Sequence, residues 1–217
     1  DDLTLFEAEN LKQFDAIFFN NTNNEIFLPE NFDKLPPEQK AQAAAPDQRL
    51  KQNLVDYLKS GKGLAVIHAG VASFRQWPEF GNIIGARFTN HPWGSGSTVT
   101  LKVDEPTHPL AQAFKQTSFP IRDEIYQVGD PYSRTRQRVL LSIDTTHTDM
   151  TPKTIVRTDK DFAMTWIKPY GQGRVFYNAL GHDHDIFWNP AVLQHWLDGI
   201  QFVLGDLPAD DTPRKSK

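Results

Sequence analysis

The chain lacks cysteine altogether, which excludes disulfide bonds, thiolate metal ligands and a cysteine nucleophile. It also lacks an excess of positive charge, because 23 Lys and Arg residues stand against 27 Asp and Glu residues for a formal net charge of -4. That balance provides no electrostatic basis for binding nucleic acid. No apolar run approaches the ~20 residues that a membrane-spanning helix needs. We therefore expect neither nucleic acid nor a membrane as a partner.

Apolar material for one sizeable core is present, since 39% of the 217 residues are hydrophobic. No repeat, linker or low-complexity segment divides the chain. We therefore predict a single α/β domain over residues 1–207. A flexible tail is expected over residues 208–217, where the basic cluster Arg214-Lys215-Ser216-Lys217 is typical of a frayed terminus.

Alternating strand and helix patterns indicate the α/β class. Residues 14–20 and 64–68 are strand-sized apolar runs, and helical spacing predicts a helix over residues 48–59 between them. Such a β-α-β unit is typical of a parallel sheet. Residues 29–46 are rich in proline and polar side chains, which favours a surface excursion. The remaining predicted elements are a helix over 77–84, strands over 97–103, 121–127, 138–143, 163–168 and 174–180, and a final helix from Pro190 with Val192, Leu193, Trp196, Leu197, Ile200 and Val203 on one face.

The amino-terminal residues lack one element that this fold class leads us to expect. A doubly wound domain normally opens with a strand followed by a helix, whereas residues 1–13 form only a short polar lead-in to the first apolar run. The pattern therefore favours a mixed sheet from which the first β-α unit is missing.

The most informative pattern is Gly181-His182-Asp183-His184-Asp185, which follows an apolar strand. A second apolar strand ends in the same way, in the segment Gly63-Leu64-Ala65-Val66-Ile67-His68-Ala69-Gly70. Parallel strands bring their carboxyl ends to one edge of the sheet, where open α/β sheets bind ligands. Alternation points His182 and His184 in opposite directions, and His182 lies nearer the sheet. We therefore predict that His68 and His182 share one site.

A carboxylate candidate lies between these two strands. The segment Asp123-Glu124-Ile125-Tyr126 fits strand periodicity, and a carboxylate within a strand needs a partner, solvent or a cation. Glu124 is therefore a candidate metal ligand or general base, with a salt bridge to Arg122 or Arg87 as the alternative. The alternative for His68 is an imidazole hydrogen-bonded beneath a loop.

Aromatic side chains near the histidines are candidates for the lining of a sugar-binding pocket. His91 precedes Pro92, which restricts it to extended geometry and holds its ring in place. Trp77 and Trp93 carry flat indole faces suited to a sugar ring, although both also fit packing in the core or at its rim. Trp188 follows the His182 segment and is a candidate wall of the same pocket. Structural or exposed roles are assigned to His108, His147 and His195.

No established signature motif accompanies these residues. The patterns His-Glu-x-x-His, Gly-x-Gly-x-x-Gly after a strand and Gly-x-x-x-x-Gly-Lys-Ser are all absent. The residues alone therefore predict a pocket lined by histidine and carboxylate groups with aromatic walls, and they do not identify its reaction.

Several segments, taken together in their order and spacing, resemble the trehalose-utilisation (ThuA-like) family. They are Gly-Lys-Gly-Leu-Ala-Val-Ile-His-Ala at 61–69, Trp-Pro-Glu-Phe at 77–80, Gly-Ala-Arg-Phe-Thr-Asn-His-Pro at 85–92, Thr-His-Pro-Leu at 107–110, Asp-Glu-Ile-Tyr at 123–126, and Gly-Gln-Gly-Arg-Val-Phe-Tyr at 171–177 followed by Gly-His at 181–182. The resemblance covers roughly residues 14–205, which is most of the chain.

The resemblance implies a flavodoxin-like fold of the class I glutamine amidotransferase kind, with a mixed, mostly parallel sheet flanked by helices. It also implies a bacterial protein that takes part in the catabolism of trehalose, related disaccharides or keto-sugars, and it favours a periplasmic or secreted location over a cytoplasmic one. Relatives usually begin with a further strand and loop that this chain lacks. An amidotransferase attacks the glutamine amide with cysteine, so a chain without cysteine is not a glutaminase.

We therefore expect a sugar-acting enzyme, a hydrolase, lyase or isomerase, with His68, Glu124 and His182 as catalytic residues. In one version these three and His91 bind a divalent metal such as zinc. In the other version a histidine is the base, Glu124 is its partner and no metal takes part. The predicted sugar contacts are Trp77, His91, Trp93, Tyr126 and Trp188. The alternative is a non-catalytic carbohydrate-binding or interaction domain of a larger protein, and a homo-oligomer also agrees with the sequence.

Overall fold

The computed structural model describes residues 2–214, which contain two β-sheets and four α-helices. The strands are β1 (Ala16–Asn20), β2 (Gly63–Ile67), β3 (Arg87–Trp93), β4 (Thr98–Val103), β5 (Ser118–Arg122), β6 (Ile125–Gly129), β7 (Arg138–Ile143), β8 (Ala163–Tyr170) and β9 (Gly173–Asn178). The α-helices are α1 (Ala8–Leu11), α2 (Pro37–Lys59), α3 (Pro78–Ile84) and α4 (Pro190–Leu204). Short 3-10 segments include His68–Ala72 and His184–Trp188.

The larger sheet has seven strands in the order β1-β2-β9-β8-β7-β4-β5. Strands β1, β2 and β9 are parallel neighbours, whereas the other neighbouring pairs are antiparallel. The α/β class and the mixed sheet flanked by helices are confirmed, with parallel pairing confined to one side of the sheet. A tight turn at Gly171-Gln172 explains one of the antiparallel pairs, β8 with β9, because so short a connection joins only antiparallel strands.

Helices cover both faces of the larger sheet. On one face α4 packs against β2 and β9, and its His195 ring lies 5.2 Å from the ring of Phe176. Tyr177 points to the opposite face, since side chains alternate along a strand. There it packs on Trp166, whose indole N–H donates to the carbonyl of Ile84 at the end of α3. The core therefore lies on both sides of the central strands.

Helix α2 is longer than the sequence pattern predicts. It begins at Pro37, so the surface excursion expected over residues 29–46 is wrong from residue 37 onwards. Proline is tolerated at the first helical position, and residues 38–45 are mainly Glu, Gln, Lys and Ala, which favour a helix. Every buried residue of α2 lies at or after Asp47. The first half therefore has no apolar face, and without such a face the sequence pattern does not predict a helix there.

The segment predicted as one strand over residues 121–127 is divided between the two sheets. Strand β5 ends at Arg122 and pairs with β4 in the larger sheet, whereas β6 begins at Ile125 and pairs with β3 in the two-stranded sheet. Asp123 and Glu124 form the connection. Strand β3, for which the sequence predicts no strand, completes the smaller sheet. Two adjacent carboxylates therefore lie where the chain passes from one sheet to the other.

The buried face of α4 differs from the predicted apolar face. Leu193 and Leu197 are 40% and 47% exposed, whereas the buried positions include Val192, Trp196 and Val203, as predicted, together with His195. The His195 imidazole donates from Nδ1 to the carbonyl of Leu110, which confirms its structural role. Among residues 2–214, no helix combines the length and the apolar composition that a bilayer-spanning segment requires.

Acid is expected to destabilise the protein through His195. Burial lowers the pKa of its imidazole from the usual 6.5 to about 4. The unfolded chain therefore takes up a proton at a higher pH than the folded chain does. The free energy of unfolding should be fully retained above pH 6.5 and should fall by about 3 kcal/mol as the pH drops towards 4. Urea unfolding at pH 7 and pH 4 measures this loss.

The matched variant for this test is His195→Asn, whose amide N–H can still reach the Leu110 carbonyl but does not titrate. It should show a shallower fall in stability over the same pH window, whatever its stability at pH 7. An unchanged slope would assign the acid sensitivity to other groups.

The described part of the predicted flexible tail is held against the domain. Arg138 forms an ion pair with Asp210 at 2.5 Å, and Nε2 of His108 donates to the Asp210 carbonyl. Arg214 pairs with Glu105 at 2.8 Å. Residues 208–214 therefore have fixed contacts although they form no helix or strand, and residues 215–217 of the predicted tail lie outside the described residues.

Candidate functional site

The ends of β2 and β9 meet as predicted. The register pairs Ile67 with Asn178, so that His68 and Ala179 follow as neighbours just beyond the two strands. Nδ1 of His68 donates to the carbonyl of Ala179 at 2.6 Å. The hydrogen bond fixes the orientation of the His68 ring. Nε2, the other ring nitrogen, then faces Glu124 in the connection between β5 and β6.

Three of the predicted site residues form one cluster, here called the His-Glu-His cluster: His68, Glu124 and His182. Oε2 of Glu124 lies 3.4 Å from Nε2 of His68 and 3.2 Å from Nδ1 of His182. One ligand atom from each residue falls within 4.8 Å of the others, a spacing that suits a shared metal ion. Segments that are far apart in the sequence therefore converge on one point.

The protonation state of His68 decides what this point can hold. A ring that donates from Nδ1 carries, when neutral, a lone pair on Nε2. Burial lowers the pKa of His68, which favours the neutral ring. Nε2 is buried without a hydrogen-bond partner and faces the Glu124 carboxylate, which also offers lone pairs. Either a proton on Nε2 or a metal ion between the two groups removes the repulsion of their lone pairs, so the donor set fits a metal ion.

The backbone of His68 is held in a costly conformation. Its φ is +45°, in the left-handed region that residues other than glycine seldom adopt. The hydroxyl of Tyr177 donates to the His68 carbonyl at 3.2 Å, and the ring of Tyr126 lies 4.2 Å from the His68 ring. Such strain persists where the surrounding structure imposes it, most often at functional sites.

Asp123 orients the segment that carries His182. Its fully buried carboxylate accepts the backbone N–H groups of Gly181 and Asp183 at 2.7 Å each and that of His182 at 3.1 Å. Burial raises the pKa of Asp123, and the N–H groups of Asp183 and Gly181 act in the opposite direction. Asp123 is thus a positioning residue, because it sets the path of the backbone from which the His182 ring projects.

Gly181 is required at its position for two reasons. Its φ is +147°, a conformation available almost only to glycine. A Cβ at this position would also lie 2.8 Å from Cγ2 of Ile67. Its carbonyl accepts a hydrogen bond from Nδ2 of Asn21, the residue that follows β1. The ends of all three parallel strands therefore contribute to the geometry of the cluster.

Asp183 attaches a neighbouring loop to the same segment. Its carboxylate accepts the hydroxyl of Ser95 at 2.5 Å and the N–H of Gly96 at 2.7 Å. The hydrogen bond from Ser95 is the main reason that the pKa of Asp183 is lowered. The loop between β3 and β4 is therefore held beside the cluster by an ionised side chain.

The fourth predicted metal ligand lies at the margin of the cluster. Nδ1 of His91 is 3.7 Å from Oε1 of Glu124, and the side chain is 55% exposed. Its position suits proton transfer at the mouth of the site better than coordination with the other three residues. Tyr126, a predicted sugar contact, packs against Phe88 and His68. Burial and the Glu124 charge raise its pKa, so its hydroxyl stays protonated.

The three predicted tryptophans lie in different surroundings. Trp93 is 4% exposed, donates its indole N–H to the Asp149 carbonyl and packs on Phe162. Its ring is therefore part of the core and is not available for the predicted contact with a sugar. Trp77 packs against Phe74 and Phe80. Trp188 is 71% exposed beside His184. None of the three has a ring contact with the His-Glu-His cluster among the described residues.

The sequence did not identify two contributors to the site, Asp123 and Asn21. Asp123 was expected to share strand periodicity with Glu124, and instead it binds three N–H groups of a segment about 60 residues away. Asn21 bonds the backbone of both histidine segments, through the Gly181 carbonyl and the Ala69 N–H. The polar turn after the first predicted strand was the only feature that could have pointed to Asn21.

Comparisons with known proteins agree with this architecture. The model of a family described as ThuA, trehalose utilisation, matches residues 1–203. A ThuA-like protein of Bacteroides uniformis superposes with a TM-score of 0.70 at 21% identity, over 93% of this chain and 74% of that one. A cytoplasmic protein of Salmonella typhimurium gives a TM-score of 0.58 at 14% identity, over 91% and 74%. A search of curated proteins finds no match. At these identities the solved structures show a shared fold.

Proposed function

This chain belongs to the ThuA family of trehalose-utilisation proteins, and we propose that it is an enzyme. Its proposed substrate is a disaccharide such as trehalose or the 3-keto derivative of that sugar. The family supports a role related to trehalose utilisation. The observation that carries the catalytic part of the proposal is the convergence of His68, Glu124 and His182 within 4.8 Å.

The chemistry of these three groups supports a divalent metal such as zinc. Two imidazole nitrogens and one carboxylate oxygen form a donor set found in catalytic zinc sites, where three protein ligands leave one position open. The hydrogen bond from Nδ1 of His68 to the Ala179 carbonyl is the kind of outer contact that orients a metal-bound histidine. When bound, such an ion polarises a carbonyl oxygen or lowers the pKa of a water molecule.

The protein groups around the cluster have separate tasks in this proposal. Tyr126 and Phe88 pack behind the site and keep water from one side of it. His91 is exposed and its Nδ1 faces Oε1 of Glu124, so a proton that its imidazole takes from a substrate is stabilised by that carboxylate. Asp123 holds the His182 segment in place throughout.

A 3-keto sugar suits this arrangement because a ketone acidifies the neighbouring C–H bond. Removal of that proton by a histidine leaves an electron pair that forms a carbon–carbon double bond as the glycosidic C–O bond breaks. The departing sugar oxygen then takes up a proton. Every step is a proton transfer or a bond cleavage within the substrate, so no further reactant is needed.

The variant His182→Ala tests the proposal. We expect loss of bound metal and of turnover, because one of three ligands is removed. The side chain is 42% exposed, so the free energies of unfolding of the metal-free variant and the metal-free wild type should differ by no more than about 0.5 kcal/mol. Elemental analysis of the purified protein measures the metal. Incubation with trehalose and with 3-keto-trehalose, followed by mass detection of products, measures turnover.

The matched control is His147→Ala, since His147 is 71% exposed and pairs with Asp144 away from the cluster. It should retain both metal and activity. A wild-type protein that takes up no divalent metal and leaves both sugars unchanged would overturn the enzymatic proposal. Binding of trehalose without turnover would then support a carbohydrate-binding domain.

A further inference from the structure

A groove of about 620 Å³ lies between the loop after β1 and the segment that continues from His68. Its lining includes Asn23, Glu30, Phe32, Asp33, Arg75 and Gln76. The volume falls within the range of about 300–1,000 Å³ that is typical of small-molecule sites. The lining combines polar and apolar side chains, whereas the core beneath it is apolar.

The two walls of the groove are fastened to each other. The Phe74 N–H donates to the Asn24 carbonyl at 2.7 Å, and the Gln76 N–H donates to Oε1 of Glu25 at 2.8 Å. The hydroxyls of Thr22 and Ser73 lie 2.8 Å apart. The groove is therefore a preformed feature, and a ligand entering it need not order a loose loop.

Backbone strain is concentrated along the same walls. Asn21, Asn24 and Phe74 adopt φ values of +55°, +57° and +49°, and His68 lies at +45°. Asparagine tolerates this region, whereas phenylalanine does so at a cost. The two segments that form the groove therefore share their unusual geometry with the catalytic histidine.

Arg75 connects the groove to the His-Glu-His cluster. Its guanidinium carbon lies 5.2 Å from the centre of the Phe88 ring. Phe88 in turn contacts Tyr126 at 4.6 Å and His91 at 6.3 Å between ring centres. Arg75 also lines the groove, so this one side chain joins the groove lining to the aromatic rings that pack beside the cluster.

The lining has the chemistry that recognises a sugar ring. Amide, carboxylate and guanidinium groups from Asn23, Glu30, Asp33 and Arg75 donate to and accept from hydroxyls. Phe32, with other apolar side chains of the loop, provides the surface against which the C–H face of a ring packs. Both signs of charge are present, so the lining is not selective for an ion of one sign.

We infer that this groove binds the second hexose ring of a disaccharide while the first ring lies at the His-Glu-His cluster. The inference rests on the proposed function and adds to it the place where the second ring of the disaccharide binds. A single hexose fills only the cluster end, whereas a disaccharide reaches Arg75 and the groove beyond it.

The variant Arg75→Ala tests this subsite by calorimetric titration with trehalose and with glucose. Wild-type protein should bind trehalose at least about tenfold more tightly than glucose, since the second ring adds contacts. Arg75→Ala should weaken trehalose binding about tenfold and change glucose binding less than about twofold. A second variant, Glu30→Ala, should weaken trehalose in the same selective way, since Glu30 is an exposed lining residue.

Arg136→Ala is the matched control, because Arg136 is an exposed arginine that does not line the groove. It should leave both affinities unchanged. Equal affinities of the wild-type protein for the two sugars, no measurable trehalose binding, or unchanged trehalose binding in both groove variants would each overturn the subsite. Metal content and turnover are measured on the same wild-type sample, so failure of the groove and failure of the catalytic proposal are distinguished.

Discussion

Glu124→Gln is expected to lower the affinity for zinc at least about 100-fold and to reduce turnover in parallel, a larger effect than the 10–100-fold that changes in outer contacts cause. Oε2 of Glu124 faces Nε2 of His68 and Nδ1 of His182, so the carboxylate is the anionic member of the donor set. Glutamine has nearly the same shape but no charge. Zinc affinity is measured by competition with a chromogenic chelator, and turnover by product mass.

The stability of the Glu124→Gln protein separates a catalytic role from a structural one. The side chain is only 11% exposed, and a buried carboxylate without a metal is costly. The metal-free variant should therefore unfold at the same or a higher urea concentration than the metal-free wild type. The matched control is Glu38→Gln, an exposed glutamate in the first turn of α2, which should keep full zinc affinity. A destabilised variant that still binds zinc would instead support a structural salt bridge.

Asp123→Asn is expected to lower the free energy of unfolding by about 3 kcal/mol and to weaken metal binding as well. Both oxygens of Asp123 accept backbone N–H groups, from Gly181 on one side and from His182 and Asp183 on the other. An asparagine amide replaces one acceptor by a donor, whichever way it is turned. At least one buried N–H then loses its partner and faces another N–H, at a cost of about 1–3 kcal/mol for each donor.

Urea unfolding measures the stability of Asp123→Asn, and the chelator competition measures its zinc affinity. Asp206→Asn is the control, because Asp206 is exposed after the end of α4. It should change neither quantity. A variant at Asp123 with wild-type stability and zinc affinity would show that the three N–H contacts do not position His182.

The two histidines of the site are visible in the sequence because their positions follow from topology. His68 and His182 come after apolar runs that pair as parallel neighbours, and such strands end at one edge of a sheet. Glu124 was predicted for a related reason, namely that a carboxylate amid apolar strand residues needs a partner. Its actual place is the connection between two sheets rather than the middle of one strand.

The remaining features depend on contacts that side-chain identity does not reveal. Asp123 binds backbone N–H groups, which every residue except proline carries, so no pattern marks its partners. Trp77 and Trp93 each stand next to a proline in the sequence, and only the packing shows that Trp93 is buried. The first half of α2 lacks an apolar face and contains Pro46, so its helix has no sequence periodicity to detect.

Asp123 and Glu124 are consecutive residues, and they connect the larger sheet to the smaller one. Asp123 is tied to the segment after β9, while Glu124 leads directly into β6, whose partner β3 carries His91. A hinge motion of the smaller sheet away from the larger one would pull Glu124 from both imidazoles and would strain the Asp123 anchor at the same time. A metal ion bound by His68, Glu124 and His182 would therefore hold the start of β6 in the smaller sheet against the ends of β2 and β9 in the larger one.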